Sequence, residues 1–251
     1  MLPRPPLAIS LAEFSLPDAS GPRAPIDWAA AAGFSAIQLD ATAPGLRPRE
    51  LDRSARRDLA AILRRAGLLF TGLDLWIPPE HLTDPSRAER AADAIVQAIG
   101  LAAELVRAGA GPPGPAVSVV LPAGVAPEVL THIARSADRD GVRIADHAIA
   151  AAESKVAAGS GVQLGLDPAA YLLANLDPAA AAARAGSGLA SARLSDASLI
   201  GRVVPGAPGG RLDILAYVAS LSVAGYDRPL ILDLRALPAP VAAARAVLAD
   251  W

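Results

Sequence analysis

Short apolar runs that end in aspartate recur along this chain, and that recurrence constrains its fold more than any other feature. The runs are Ala36-Ile37-Gln38-Leu39-Asp40, Thr71-Gly72-Leu73-Asp74, Leu164-Gly165-Leu166-Asp167, Ala192-Arg193-Leu194-Ser195-Asp196 and Leu230-Ile231-Leu232-Asp233. Val142-Arg143-Ile144-Ala145-Asp146-His147 is a variant that carries a histidine. Each run has strand character and is followed by an Ala-rich stretch of helical character. A repeated strand-then-helix order implies a parallel α/β sheet, and acids at the strand ends then converge on one face. Such folds carry their chemistry on that face.

Eight strands are expected, over 7–11, 35–39, 68–76, 116–121, 142–145, 162–166, 189–194 and 229–234. Helices are expected between most neighbours. One covers 27–32 and closes on Gly33; another covers 49–65, with Leu51, Leu59, Ile62 and Leu63 as its apolar stripe and Gly67 at its end. A long helix over 86–107 has Ser86 and Glu89 in capping-box spacing. Further helices are expected over 127–140, 148–158, 177–185 and 213–224, and from Pro238 to the C-terminus. Eightfold alternation in a chain of this length is the size and order of a TIM barrel. No composition break marks a linker, so residues 1–251 are expected to form one (β/α)8 barrel domain, an α/β fold. An open doubly wound sheet is the structural alternative. No dinucleotide or P-loop glycine motif follows any strand to support it, so no nucleotide cofactor is expected.

Of the 251 residues 53% are hydrophobic and 19% charged, enough to build a sizeable core. The net charge of −2 offers no basic face to nucleic acid or to an anionic membrane. The basic residues are 22 Arg and one Lys, Lys155, which reads as a GC-rich coding bias rather than as function. With no cysteine the chain has no disulfides, thiolate nucleophiles or Cys-based metal sites. Pro5, Pro6 and Glu13 interrupt the N-terminal segment, which does not read as a signal peptide. The longest charge-free stretch, 108–127, carries five Pro and four Gly and cannot be a membrane helix. A cytoplasmic location is the expectation.

Five motifs, in order, carry a resemblance. Gly33-Phe34-Ser35-Ala36-Ile37-Gln38-Leu39, Leu166-Asp167-Pro168, Leu194-Ser195-Asp196, the Gly-rich loop from Pro205 to Asp213, and the segment from Ala224 to Asp233 resemble the second, sixth, seventh and eighth strand regions of the xylose isomerase-like TIM barrels. That family comprises sugar and sugar-phosphate isomerases and epimerases. The resemblance covers nearly the whole chain and is most specific in its C-terminal third. It implies a divalent metal (Mn, Mg or Zn) at the C-terminal mouth, held by two Glu, an Asp and a His. The metal polarises the sugar carbonyl while two acidic residues move a proton between adjacent carbons. This chain departs at most of those positions. The fifth-strand Glu falls on His147, the seventh-strand His on Arg193, the eighth-strand Glu on Asp233 and the second-strand Glu on Gln38; only Asp167 is kept.

Arg193 weighs most. A guanidinium has no lone pair to donate to a metal. Near Asp167 and Asp233 it would neutralise them and take over the space and charge of a metal. His147, Asp167 and Asp233 remain as a weak three-point metal set, and the expectation is an altered, metal-free site. The candidate catalytic residues are therefore His147, Asp167, Arg193 and Asp233, with Arg193 meeting an oxyanion. Gln38, Asp74, Trp76, His81, Asp196 and Arg202 are candidate substrate contacts. Plainer roles stand beside these: an ion-pair network for Asp167, Arg193 and Asp233, turn caps for Asp40 and Asp74, and rim packing for Trp76. Arg202 and Arg211 flank the seventh loop, where a phosphate could bind, and His132 reads as structural. The sequence thus points to a sugar or sugar-phosphate isomerase/epimerase with a rearranged site. The alternative is a non-catalytic binding or regulatory relative. The expected partner is a small sugar, with a homodimer as a family-level expectation.

Overall fold

The computed structural model describes residues 4–16, 21–149 and 162–251. Its strands are β1 (Leu7–Ser10), β2 (Ala36–Asp40), β3 (Leu69–Asp74), β4 (Ala116–Val119), β5 (Arg143–Asp146), β6 (Val162–Leu166), β7 (Leu189–Leu194), β8 (Asp196–Ala197), β9 (Arg202–Val203) and β10 (Leu230–Leu232). Eight of them form a closed barrel in the order β1-β10-β7-β6-β5-β4-β3-β2, every pair parallel. β8 and β9 form a separate antiparallel ribbon after the seventh barrel strand. The expected (β/α)8 barrel is the fold observed.

Side-chain alternation sorts the barrel into two faces. Ile9, Ile37, Leu73, Val117, Ile144, Leu166, Leu194 and Leu232 point outward and join the main core with Ile26, Leu63, Ile95, Ile99 and Tyr217 of the surrounding helices. The alternate positions point inward. Ala8, Ala36 and Ile231 form one inner cluster, and Ala116, Ala145 and Ala190 another, both separate from the main core. Most of these inner residues are alanines, where barrels of this kind usually stack bulky branched side chains. Gly72 belongs to the same inner wall. Its φ is 156°, and a Cβ there would lie 1.9 Å from the carbonyl oxygen of Ala116, so β3 and β4 can approach only with glycine at this point.

The helices begin where the chain supplies caps. Asp52 accepts from Ala55 N ahead of the helix Arg53–Arg65, Asp177 from Ala179 N and Ala180 N, and Asp213 from Ala216 N. Three details differ from the sequence expectation. The helix expected from residue 49 is split, with a single 3-10 turn over Pro48–Glu50 before Asp52 caps the α-helix. The capping box at Ser86 does not form: Ser86 donates to Asp84 instead, and the helix runs over Ala88–Arg107. Short helices at Glu80–Thr83 and Pro168–Leu173 were not expected, the second starting with Pro168 directly after Asp167. Most of the helix expected over 148–158 lies outside the described residues. Among the described residues no helix is long and apolar enough to cross a membrane.

Candidate functional site

Strand parity delivers the site. Asp74, the last residue of β3, and His147, Asp167 and Asp233, each just beyond a strand, have the inward parity, as has Arg193 within β7. All five are buried. Arg193 Nη2 donates to Asp74 Oδ2 at 2.5 Å, and Nη1 donates to Asp167 Oδ2 at 3.3 Å. Its Nε lies 3.3 Å from Asp233 Oδ2, close enough for an ion pair although the angle is poor for a hydrogen bond. One guanidinium thus joins three acids from three strands.

Two further arginines close the cluster. Arg202, on β9, pairs with Asp167 Oδ2. Arg235, two residues past Asp233, donates from Nε to both oxygens of Asp233 (2.9 and 2.8 Å) and from Nη2 to Asp74 Oδ2 at 2.8 Å. Three carboxylates therefore face three guanidinium groups, and the charge balances. Ser195 adds a hydroxyl to Asp167 Oδ1 at 2.6 Å.

The balance fixes the protonation states. Burial alone would push the Asp167 carboxyl up, but Arg193, Arg202 and the Ser195 hydroxyl outweigh it and hold its pKa at about 2. Burial likewise opposes ionisation of Asp233, and Arg193 and Arg235 lower its pKa all the same. His147 moves well below the usual 6.5, chiefly by burial and then by the nearby cations Arg193 and Arg235, so its ring is neutral at pH 7. Its Nε2 lies 3.1 Å from Ser118 Oγ, which also accepts from Gln38 Nε2 at 3.1 Å. The His147 ring lies over Gly165, where a Cβ would come within 2.5 Å of it.

This donor set does not fit a divalent metal. The oxygens that would have to converge on the ion, Asp74 Oδ2, Asp167 Oδ2 and Asp233 Oδ2, converge on guanidinium nitrogens instead. Among the described residues no group of three or more His, Asp or Glu side chains is arranged to hold a metal ion.

The other candidates fall into different settings. Trp76, just past β3, is 58% exposed at the C-terminal side of the barrel. Gln38 is buried in the barrel interior. His81 sits in the short helix after β3, its Nε2 2.9 Å from Arg87 Nη1. Asp196 is buried, and its Oδ1 accepts from the backbone amides of Ala197, Arg211 and Leu212, which gives it to the Gly-rich seventh loop. Asp40 caps its own turn through Thr42. Asp146 has the outward parity and accepts from Leu121 N and Ala148 N. Arg235 was missed by sequence reasoning. The available signal was its position two residues after an acid-terminated strand, the spacing at which it can fold back onto Asp233.

No family model matches the chain, and no curated protein is similar to it in sequence. Solved structures do match. A xylose isomerase domain protein from Planctomyces limnophilus superposes with a TM-score of 0.70 at 15% identity, over 99% of this chain and 95% of that one. D-psicose 3-epimerase from Clostridium cellulolyticum H10, solved with D-tagatose, gives 0.74 at 15% identity, covering 98% and 97%. A sugar phosphate isomerase/epimerase from Parabacteroides distasonis gives 0.66 at 12% identity, covering 99% and 93%. At such identities the likeness speaks for architecture and not for activity. Barrel closure, strand order and these superpositions together give the chain the fold of the xylose isomerase-like TIM barrels.

Proposed function

We propose that the C-terminal mouth is a sugar or sugar-phosphate site of the isomerase/epimerase type, working with guanidinium groups where the family pattern has a metal. The observation that carries this reading is the layering of the arginines. The Arg193 side chain is 5% exposed and engaged with three acids, whereas those of Arg202 and Arg235 are 16% exposed and lie nearer solvent. An anionic or carbonyl oxygen entering the mouth meets these two first, and exposed Trp76 offers an apolar face to the C–H side of a sugar.

Proton transfer follows from what the ligand displaces. A phosphate or developing enediolate that recruits Arg202 and Arg235 draws them from Asp167 and Asp233. Each carboxylate then keeps fewer cations and its proton affinity rises. One of the pair takes the proton from the carbon beside the carbonyl while the guanidinium groups meet the charge forming on oxygen. In an isomerisation that acid returns the proton to the former carbonyl carbon as the hydroxyl proton passes to the new alcohol oxygen. In an epimerisation the other acid delivers a proton to the opposite face of the same carbon. Arg193 holds both acids in place.

A second reading, a non-catalytic sugar-binding barrel, is favoured by one specific observation. With no ligand bound, every carboxylate of the cluster is paired and Asp167 is held at about 2, far from the value that suits a base at neutral pH. Solvent-deuterium exchange into a panel of aldoses, ketoses and their phosphates, run with excess chelator, separates the two. The first reading predicts carbon-bound deuterium that survives chelation and disappears in Asp167→Asn. Exchange abolished by the chelator contradicts it, and saturable sugar binding without exchange selects the second.

A further inference from the structure

We infer that the N-terminal end of the barrel carries a second small-molecule site, one that takes a compact, mostly apolar molecule bearing a hydroxyl group. A cavity of about 240 Å³ opens there, at the end opposite the acid–arginine cluster. It exists because the inner wall is made of small residues: Ala116 and Ala190 line it, where larger side chains would close the barrel floor. Its walls are mostly apolar, with Leu69, Pro113, Tyr226 and Ile231 beside the charged Asp227 and Arg228. Leu69 is 52% exposed, an apolar side chain left uncovered at the rim.

The walls are held in place. The Tyr226 hydroxyl donates to Pro229 O at 3.0 Å and accepts from Ala192 N at 3.1 Å, which fixes the ring. Arg228 Nη1 donates to Gly114 O at 2.8 Å and ties together the two loops that frame the opening. A preformed cavity of this kind loses little free energy to ordering when it is filled.

The polar anchor is Gln38. It lines the cavity at its inner end, is 1% exposed, and its Oε1 has no hydrogen-bond partner, while its Nε2 is engaged by Ser118. The amide oxygen is closed to solvent, so a ligand hydroxyl reaches it by a small shift of the side chain, and the new hydrogen bond then offsets the cost that an unpartnered buried amide end bears. The orientation of the amide can reverse along the Gln38–Ser118–His147 chain, because a hydroxyl and a neutral imidazole each accept or donate. The free end then changes from acceptor to donor. A hydroxyl satisfies either state; an ammonium or a carboxylate satisfies only one. Among the described residues that line the cavity Arg228 is the one cation, and it is tied to Gly114 O, so the mostly apolar walls favour a neutral alcohol or phenol, of a size set by the cavity.

Phenol is the probe, and the assigned amide signals of the folded protein are the readout. The expected result is saturable shifts at Leu69, Ser191 and the Gln38 side chain, with no change at Arg193 or Arg235. Ala190→Leu, which fills the cavity, is expected to weaken binding about tenfold or more. Gln38→Met is expected to weaken phenol about fivefold and leave benzene unchanged, because only phenol loses a hydrogen bond. Thermal unfolding verifies that each variant is folded. A crystal grown with phenol needs no variant: it is expected to show the ring between Tyr226 and Ile231. Linear shifts, shifts confined to the C-terminal mouth, or water alone in the cavity would overturn the inference.

Discussion

The two ends of this barrel are built on opposite principles. Toward the N-terminal end the inner wall is mostly alanine and glycine, and the space between the strands is left partly open. Toward the C-terminal end the same inward positions carry Asp74, His147, Asp167, Arg193 and Asp233, and ion pairs fill the space. Strand pairing and curvature are shared, so the difference lies in side chains alone. One barrel can thus be stabilised from inside by electrostatic balance at one end while it keeps an apolar void at the other. The charged end draws its partners from several strands, whereas at the small end a side chain added at Gly72 would meet backbone.

The largest expected effect comes from breaking the balance. Arg193→Met removes the guanidinium that touches Asp74, Asp167 and Asp233 together, leaving Arg235 to bridge two of them, and should cost about 3–5 kcal/mol in urea unfolding. A loss near zero would mean that Arg202 and Arg235 suffice and that Arg193 is dispensable. Gly165→Ala tests where the two regimes meet. Its new methyl would press on the His147 ring at 2.5 Å, and a cost of about 1–3 kcal/mol is expected, read from thermal unfolding. An unchanged midpoint would show that the ring can swing away.

The smallest effect is a pH dependence, and its sign is fixed. The His147 pKa is depressed in the folded state, so its contribution is intact above the ordinary 6.5 and declines as the pH falls below that value. Asp167 falls from 3.8 to about 2 on folding, so its contribution, about 2 kcal/mol, is present above 3.8 and is lost as the pH falls toward 2. Stability measured against pH should therefore decline in two windows, with the upper one removed by His147→Gln. A flat profile between pH 7 and 5 would contradict the assignment of a neutral buried histidine.

Much of this was legible in the sequence, for physical reasons. Asp-ended runs followed by alanine-rich segments report strand parity and helix propensity, which are local, and they specify the barrel. Arg193 was legible as a neutralising cation because the two acids expected beside it also lie at strand ends. The role of Asp74 was not, because its partners Arg193 and Arg235 lie 119 and 161 residues away and only barrel closure brings them together. Asp196 reads in sequence as one more strand-end acid, yet it accepts from three amides of its own loop, a geometry that spacing does not encode. The N-terminal cavity was invisible for a related reason. Alanines on separate strands reveal a void only when they face the same space.

Under the proposed function, guanidinium groups stand at the C-terminal mouth where the xylose isomerase-like pattern has a metal. Metal analysis of the protein after incubation with Mn²⁺ and gel filtration tests it most directly, with Arg193→His run in parallel. No stoichiometric metal is expected in the unaltered protein, and a gain of Mn²⁺ is expected in the variant, where the central cation is replaced by a ligand. Stoichiometric Mn²⁺ in the unaltered protein, lost on Asp167→Ala, would contradict it.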